Sequence, residues 1–84
     1  MTVHLRFFAA VRERLGVSAR QVEVADGTTV AALWAELRAA HRELEAFATS
    51  LSFAVNREYV DGTHRLADGD EVAFIPPVSG GCDD

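Results

Sequence analysis

Lysine is absent: all eight basic side chains are arginine. No side chain here can accept an isopeptide bond, whatever the chain's own carboxyl end does to other proteins. The single cysteine, Cys82, excludes an internal disulfide and suits a reducing compartment. No apolar run is long enough to span a membrane. The opening Met1-Thr2-Val3-His4-Leu5-Arg6 lacks the basic-then-apolar-then-small order of a signal peptide, so a cytoplasmic chain with no membrane partner is expected. His4, His41 and His64 are scattered without metal-ligand spacing. There is no phosphate loop and no nucleophile elbow. No metal site and no self-contained active site are expected.

What is present fits one small domain. The chain has 84 residues, 49% of them hydrophobic, enough for a single core with little stability margin. Its net charge is −5 and unevenly spread. Residues 1–20 hold four Arg and one Glu, whereas residues 43–84 hold nine acidic groups against Arg57 and Arg65. An acidic balance argues against nucleic acid, which needs clustered cations to neutralise phosphates. It suits a partner with a basic docking surface, or it simply keeps a small domain soluble. The carboxylates of residues 61–71 fall at turns, where Asp bonds its own backbone, so solvated turn residues are expected there rather than paired catalytic carboxylates.

The pattern alternates between periods. Val3, Leu5 and Phe7 face one way and His4, Arg6 and Phe8 the other, which predicts a half-buried strand. Ala9 to Leu15 reads as a short helix stopped by Gly16. Residues 21–24 alternate again, and Asp26-Gly27 signals a turn. Thr28 or Thr29 can cap a helix whose stripe is Val30, Leu33, Trp34 and Leu37 and whose end lies near His41. Residues 42–50 are ambiguous, a helical turn and loop. Strands follow at Leu51–Val55, Glu58–Val60 and Glu71–Ile75, separated by turns at Asn56-Arg57, Asp61-Gly62 and Asp68-Gly69-Asp70. One main helix with four or five short strands predicts an α+β fold, a mixed sheet with the helix packed across one face. The expected core is Val3, Leu5, Phe7, Val22, Val24, Val30, Leu33, Leu37, Phe53, Val55, Leu66, Val72 and Phe74.

The domain is expected to span residues 1–77, followed by a flexible tail over 78–84. Pro76 cannot donate to a sheet ladder and ends the last strand; with Pro77 it sets the exit direction. Val78 to Gly81 can extend about 3.3 Å per residue, roughly 13 Å beyond the body. Gly80-Gly81 then offers minimal bulk for threading a narrow channel and approaching another backbone. A freed Gly81 carboxylate could be activated and loaded. The bland reading is an ordinary disordered terminus.

Three segments carry a resemblance over essentially the whole chain: Val3-His4-Leu5-Arg6-Phe7-Phe8-Ala9-Ala10-Val11-Arg12-Glu13, Ala54-Val55-Asn56-Arg57-Glu58-Tyr59-Val60, and Leu66 through Gly81 with its Phe74-Ile75-Pro76-Pro77-Val78-Ser79-Gly80-Gly81 ending. The chain resembles the small, sulfur-carrying subunit of molybdopterin synthase, a β-grasp (ubiquitin-like) family. The resemblance implies a protein co-substrate, non-catalytic alone but the small subunit of a sulfurtransferase. A ubiquitin-activating-type enzyme, using ATP and Mg²⁺ that this chain does not itself bind, would adenylate the Gly81 carboxylate. A persulfide would supply sulfur to form a thiocarboxylate, and the large synthase subunit would receive it. The resemblance also implies a docking surface at Phe8, Tyr59 and Ile75, continued by Pro76, Pro77, Val78 and Ser79. Strand parity independently turns Phe8 and Ile75 outward; burying Phe8 under the first helix is the alternative.

Cys82-Asp83-Asp84 departs from the family, whose members typically end at the second Gly. With Gly81 in an amide bond no adenylation occurs, so removal by a JAMM-type zinc protease between Gly81 and Cys82 is the favoured expectation. An acyl shift to the Cys82 sulfur has no activating residue nearby. Two other classes remain open: a ubiquitin-like modifier or a carrier for another pathway (tRNA thiolation, thiamin or amino-acid synthesis), and a plain interaction domain with a vestigial Gly-Gly.

Overall fold

The computed structural model describes residues 1–77. The elements run β1 (Thr2–Phe7), α1 (Ala9–Leu15), β2 (Ala19–Glu23), α2 (Val30–Ala40), a 3-10 helix (Arg42–Phe47), β3 (Ser52–Val55), β4 (Glu58–Val60) and β5 (Glu71–Ile75). The strands form one sheet in the order β2-β1-β5-β3-β4. β1 and β5 pair in parallel at the centre, with Leu5 opposite Val72 and Phe7 opposite Phe74. The other three pairings are antiparallel.

The helices cover one face. Val30, Leu33, Trp34 and Leu37 of α2 are buried, each contributing about 1.5–3 kcal/mol of apolar burial. Of the two candidate caps, Thr29 serves: its Oγ1 accepts from the Ala32 N–H at 3.1 Å. The helix closes at His41, whose N–H donates to Leu37 O at 2.8 Å. α1 stops at Gly16, in the left-handed region at φ +77 with its N–H on Arg12 O at 2.8 Å, a conformation glycine adopts without a Cβ penalty. An aromatic cluster fills the centre. The Phe74 ring lies 5.7 Å from Phe7, 5.5 Å from Trp34 and 5.9 Å from Phe53, spacings at which ring pairs add to simple burial.

The core differs from expectation at its margins. Val22, Val24 and Phe53 are half-buried rather than buried. β2 is an edge strand, so Val22 has a strand on one side only; Phe53 meets Trp34 edge-on at 6.4 Å. Val11, Trp34 and Leu44 are buried in addition. Leu44 sits on the 3-10 helix and is fully enclosed; its three-residue period breaks the stripe that marks an α-helix. Among the described residues no polar or charged side chain is buried, and no helix is long and apolar enough to cross a membrane.

Candidate functional site

The face of the sheet away from the helices positions the site. Phe7 pairs with Phe74, so the next residues along each strand, Phe8 and Ile75, stand side by side on the opposite face. Phe8 keeps extended backbone (φ −123, ψ 151); the chain then reverses through Ala9 at φ +50 into α1. The reversal sends Val11 into the core and leaves Phe8 outside, 38% exposed. This settles the alternative of a Phe8 buried under the helix. Ile75 and Pro76 are half-buried and Pro77 is exposed.

One row further, the register reads Arg6–Ala73–Ala54–Tyr59 across four strands. Tyr59, 76% exposed, stands on edge strand β4, two strands from β5, or about 10 Å by strand spacing. The small side chains of Ala73 and Ala54 lie between it and Arg6. Two apolar ridges, Phe8 with Ile75 and Tyr59 alone, therefore flank a low floor. The three residues expected to dock a partner do share one face.

The exit from the domain adjoins this face. A cleft of about 490 Å³ separates α1 from the end of β5 and is lined by Phe8, Ala9, Ala10, Glu13, Ile75, Pro76 and Pro77. Gly80, Gly81, Cys82, Val78 and Ser79, the remaining sequence-predicted site residues, lie outside the described residues.

Charge on this face went unread in the sequence. The Arg6 guanidinium donates to Glu71 Oε2 at 3.0 Å and lies 5.7 Å from the centre of the Phe8 ring, within cation–π range. Arg6 therefore holds Phe8 from one side. The signal was there: Arg6 shares the parity of His4 and Phe8, and Glu71 shares that of Ile75. Reading it required knowing that β5 lies next to β1. The one resolved carboxyl shift among the described residues is elsewhere. The Thr63 hydroxyl, then its backbone N–H, hold the exposed Asp61 below its ordinary range, as stabilisation of an anion by donors does. That is a turn carboxylate bonded to its own loop. Among the described residues this face brings together no acid–base pair and no activated nucleophile.

A mixed five-stranded sheet grasping one main helix, with the chain leaving from the central strand beside an apolar outer face, is the β-grasp arrangement of ubiquitin-like proteins. The chain belongs to the ThiS family, whose model matches residues 5–81. Cys82 falls just past that match. The chain is 46% identical over 82 residues to the molybdopterin synthase sulfur carrier subunit of Escherichia coli, covering 94% of this chain and 99% of that protein. In structure it resembles SAMP1, the small archaeal modifier protein 1 of Haloferax volcanii, at TM-score 0.85 and 29% identity, covering 96% of this chain and 100% of the other. It also resembles a chain of the Helicobacter pylori complex of subunits 1 and 2 of molybdopterin-converting factor, at TM-score 0.72 and 27% identity, covering 96% and 100%.

Proposed function

We propose that this chain is a cytoplasmic sulfur carrier of molybdenum cofactor biosynthesis, delivering sulfur as a thiocarboxylate on Gly81 to the large subunit of molybdopterin synthase. The observation that carries the reading is the near full-length likeness to a molybdopterin synthase sulfur carrier subunit. An outward patch of Phe8, Ile75 and Tyr59 beside the chain's exit supports it.

The chemistry follows from what a carboxylate lacks. It is a poor electrophile, so a ubiquitin-activating-type partner, using ATP and Mg²⁺, converts it to an acyl adenylate and releases pyrophosphate. The outer sulfur of a persulfide attacks the acyl carbon and AMP leaves. A second thiol then takes the donor's inner sulfur as a disulfide, and the thiocarboxylate remains. In this sequence Gly81 is followed by Cys82, so the Gly81–Cys82 amide must first be hydrolysed; a JAMM-type zinc protease is the class proposed. The body's part is to present the tail: a rigid sheet, an apolar face for the partner, and Pro76-Pro77 as a stiff lead. The two glycines accept close approach where side chains would collide.

The test is the intact mass of the chain from its own host. A chain ending at Gly81 with one oxygen exchanged for sulfur is expected; a chain that still carries Cys82 in growing cells overturns the reading. The likeness to SAMP1 favours a second reading, a ubiquitin-like modifier or a carrier for another pathway such as tRNA thiolation. Gly81 found joined to lysines of other proteins would establish it.

A further inference from the structure

Beside the apolar patch lies a smaller pocket of about 250 Å³, with Ala73 as floor, Phe8 as one wall, and Arg6, Arg57 and Glu71 around it. Two arginines and one glutamate line it, so the lining is +1 in a chain of net charge −5. Arg6 and Glu71 satisfy each other at 3.0 Å. Among the described residues Arg57 makes no ion pair.

The backbone at Arg57 is a separate observation. Asn56 and Arg57 have φ +51 and +73, and they are the two residues between the paired Val55 and Glu58. Both central residues of a two-residue hairpin are thus left-handed, the type I′ geometry, in which Asn suits the first position and Gly the second. A side chain with a Cβ is penalised at the second. The turn is also anchored. Asn56 Nδ2 donates to Asp70 Oδ1 at 2.9 Å, its Oδ1 accepts from the Glu71 N–H at 3.1 Å, and its own N–H donates to Glu71 O at 2.8 Å. Arg57 thus projects from a fixed turn at a position where glycine would fold better. Strain kept where the fold gains nothing points to function.

We propose that Arg57 receives an acidic side chain of the large synthase subunit, its carboxylate beside the guanidinium and its methylenes over Ala73 and the Phe8 edge. The inference rests on the function proposed above. A polyanion does not fit, because Glu71 shares the pocket and Arg57 is the one arginine there without an ion pair among the described residues. An apolar patch is non-directional, whereas one charge on a rigid turn fixes the register of docking and speeds encounter.

The test uses the chain ending at Gly81 and the large subunit, with calorimetric titration at low and high salt and thermal melting in parallel. R57G is expected to melt no lower than the unaltered chain, because the turn relaxes, yet to bind about three- to tenfold more weakly at low salt. R57E should lose about tenfold or more. Both losses should shrink in 1 M salt, where charges are screened within about 3 Å. Binding by R57G and R57E within about twofold of the unaltered chain at low salt overturns the proposal while leaving the carrier function standing. A large subunit that fails to bind the unaltered trimmed chain overturns both.

Discussion

Phe7 lies beneath the helices, 2% exposed, its ring 5.7 Å from Phe74. Phe8, the next residue, is 38% exposed on the opposite face with the Arg6 guanidinium beside it. The same side chain thus serves two purposes within one peptide unit, because successive residues of a strand point to opposite faces. The inner face is aromatic, with no charged residue buried among the described residues. The outer face is a floor of small residues with two apolar ridges and a few arginines. Inner residues hold the domain together. Outer residues contribute little to that, and under the proposed function they meet the partner.

The sharpest way to break this comparison is to truncate Phe7. F7A should cost about 3–5 kcal/mol, the usual loss for a fully buried Phe. In a domain with a total of about 5–15 kcal/mol that removes a large share of the margin, read as a strongly lowered denaturant midpoint. Gly62→Ala comes next. Gly62 O accepts from the Ala31 N–H at 2.9 Å, and a Cβ at Gly62 would sit 2.9 Å from the Ala31 Cβ. The start of α2 and this turn would have to separate, at an expected cost of about 1–3 kcal/mol, read as a lowered denaturant midpoint with an unchanged slope.

Y59A tests the outer face. With Tyr59 76% exposed, its stability change should stay within about 0.5 kcal/mol. Binding of the trimmed chain to a large synthase subunit should fall by about 1 kcal/mol or more if Tyr59 anchors the contact. A Y59A chain that melts normally and binds normally would remove Tyr59 from the interface. The smallest effect is expected at Thr63→Ala. Asp61 is held below its ordinary value first by the Thr63 hydroxyl, so T63A should let its carboxyl titrate closer to the usual value of about 3.9. A depressed folded value contributes stability above the unfolded pKa and loses it as pH falls through the folded one. The small advantage over T63A should therefore be present at neutral pH and vanish at strongly acid pH. NMR titration of the Asp61 carboxyl checks the shift directly.

Much of this was legible in the residues. The 2-fold and 3.6-fold periods placed all five strands and both α-helices, the Thr28/Thr29 pair contained the true cap, and parity turned Phe8 and Ile75 outward. The misses have physical causes. Leu44 was hidden because a 3-10 helix does not show the α-helical stripe. Val22 and Val24 were expected in the core because alternation reports which face a residue takes, and it is silent on whether its strand is central or an edge. Phe53 misled for a related reason: parity directed it inward, but how far α2 covers it is set by packing.

The local choices, strand or helix, inward or outward, turn or cap, came from the sequence itself, since each rests on residues within a turn or two of one another. The Gly80-Gly81 pair after Pro76-Pro77 is likewise a sequence fact, and it pointed to the family without any structure. Which strands are neighbours was decided only by tertiary structure. Setting β5 parallel to β1 joins residues some 65 apart in the chain, as in the Arg6–Glu71 pair, and no local period encodes that. It is this pairing that brings Phe8 to Ile75 and Arg6 to Ala73, while the β3–β5 pairing adds the Arg57 turn to the same face.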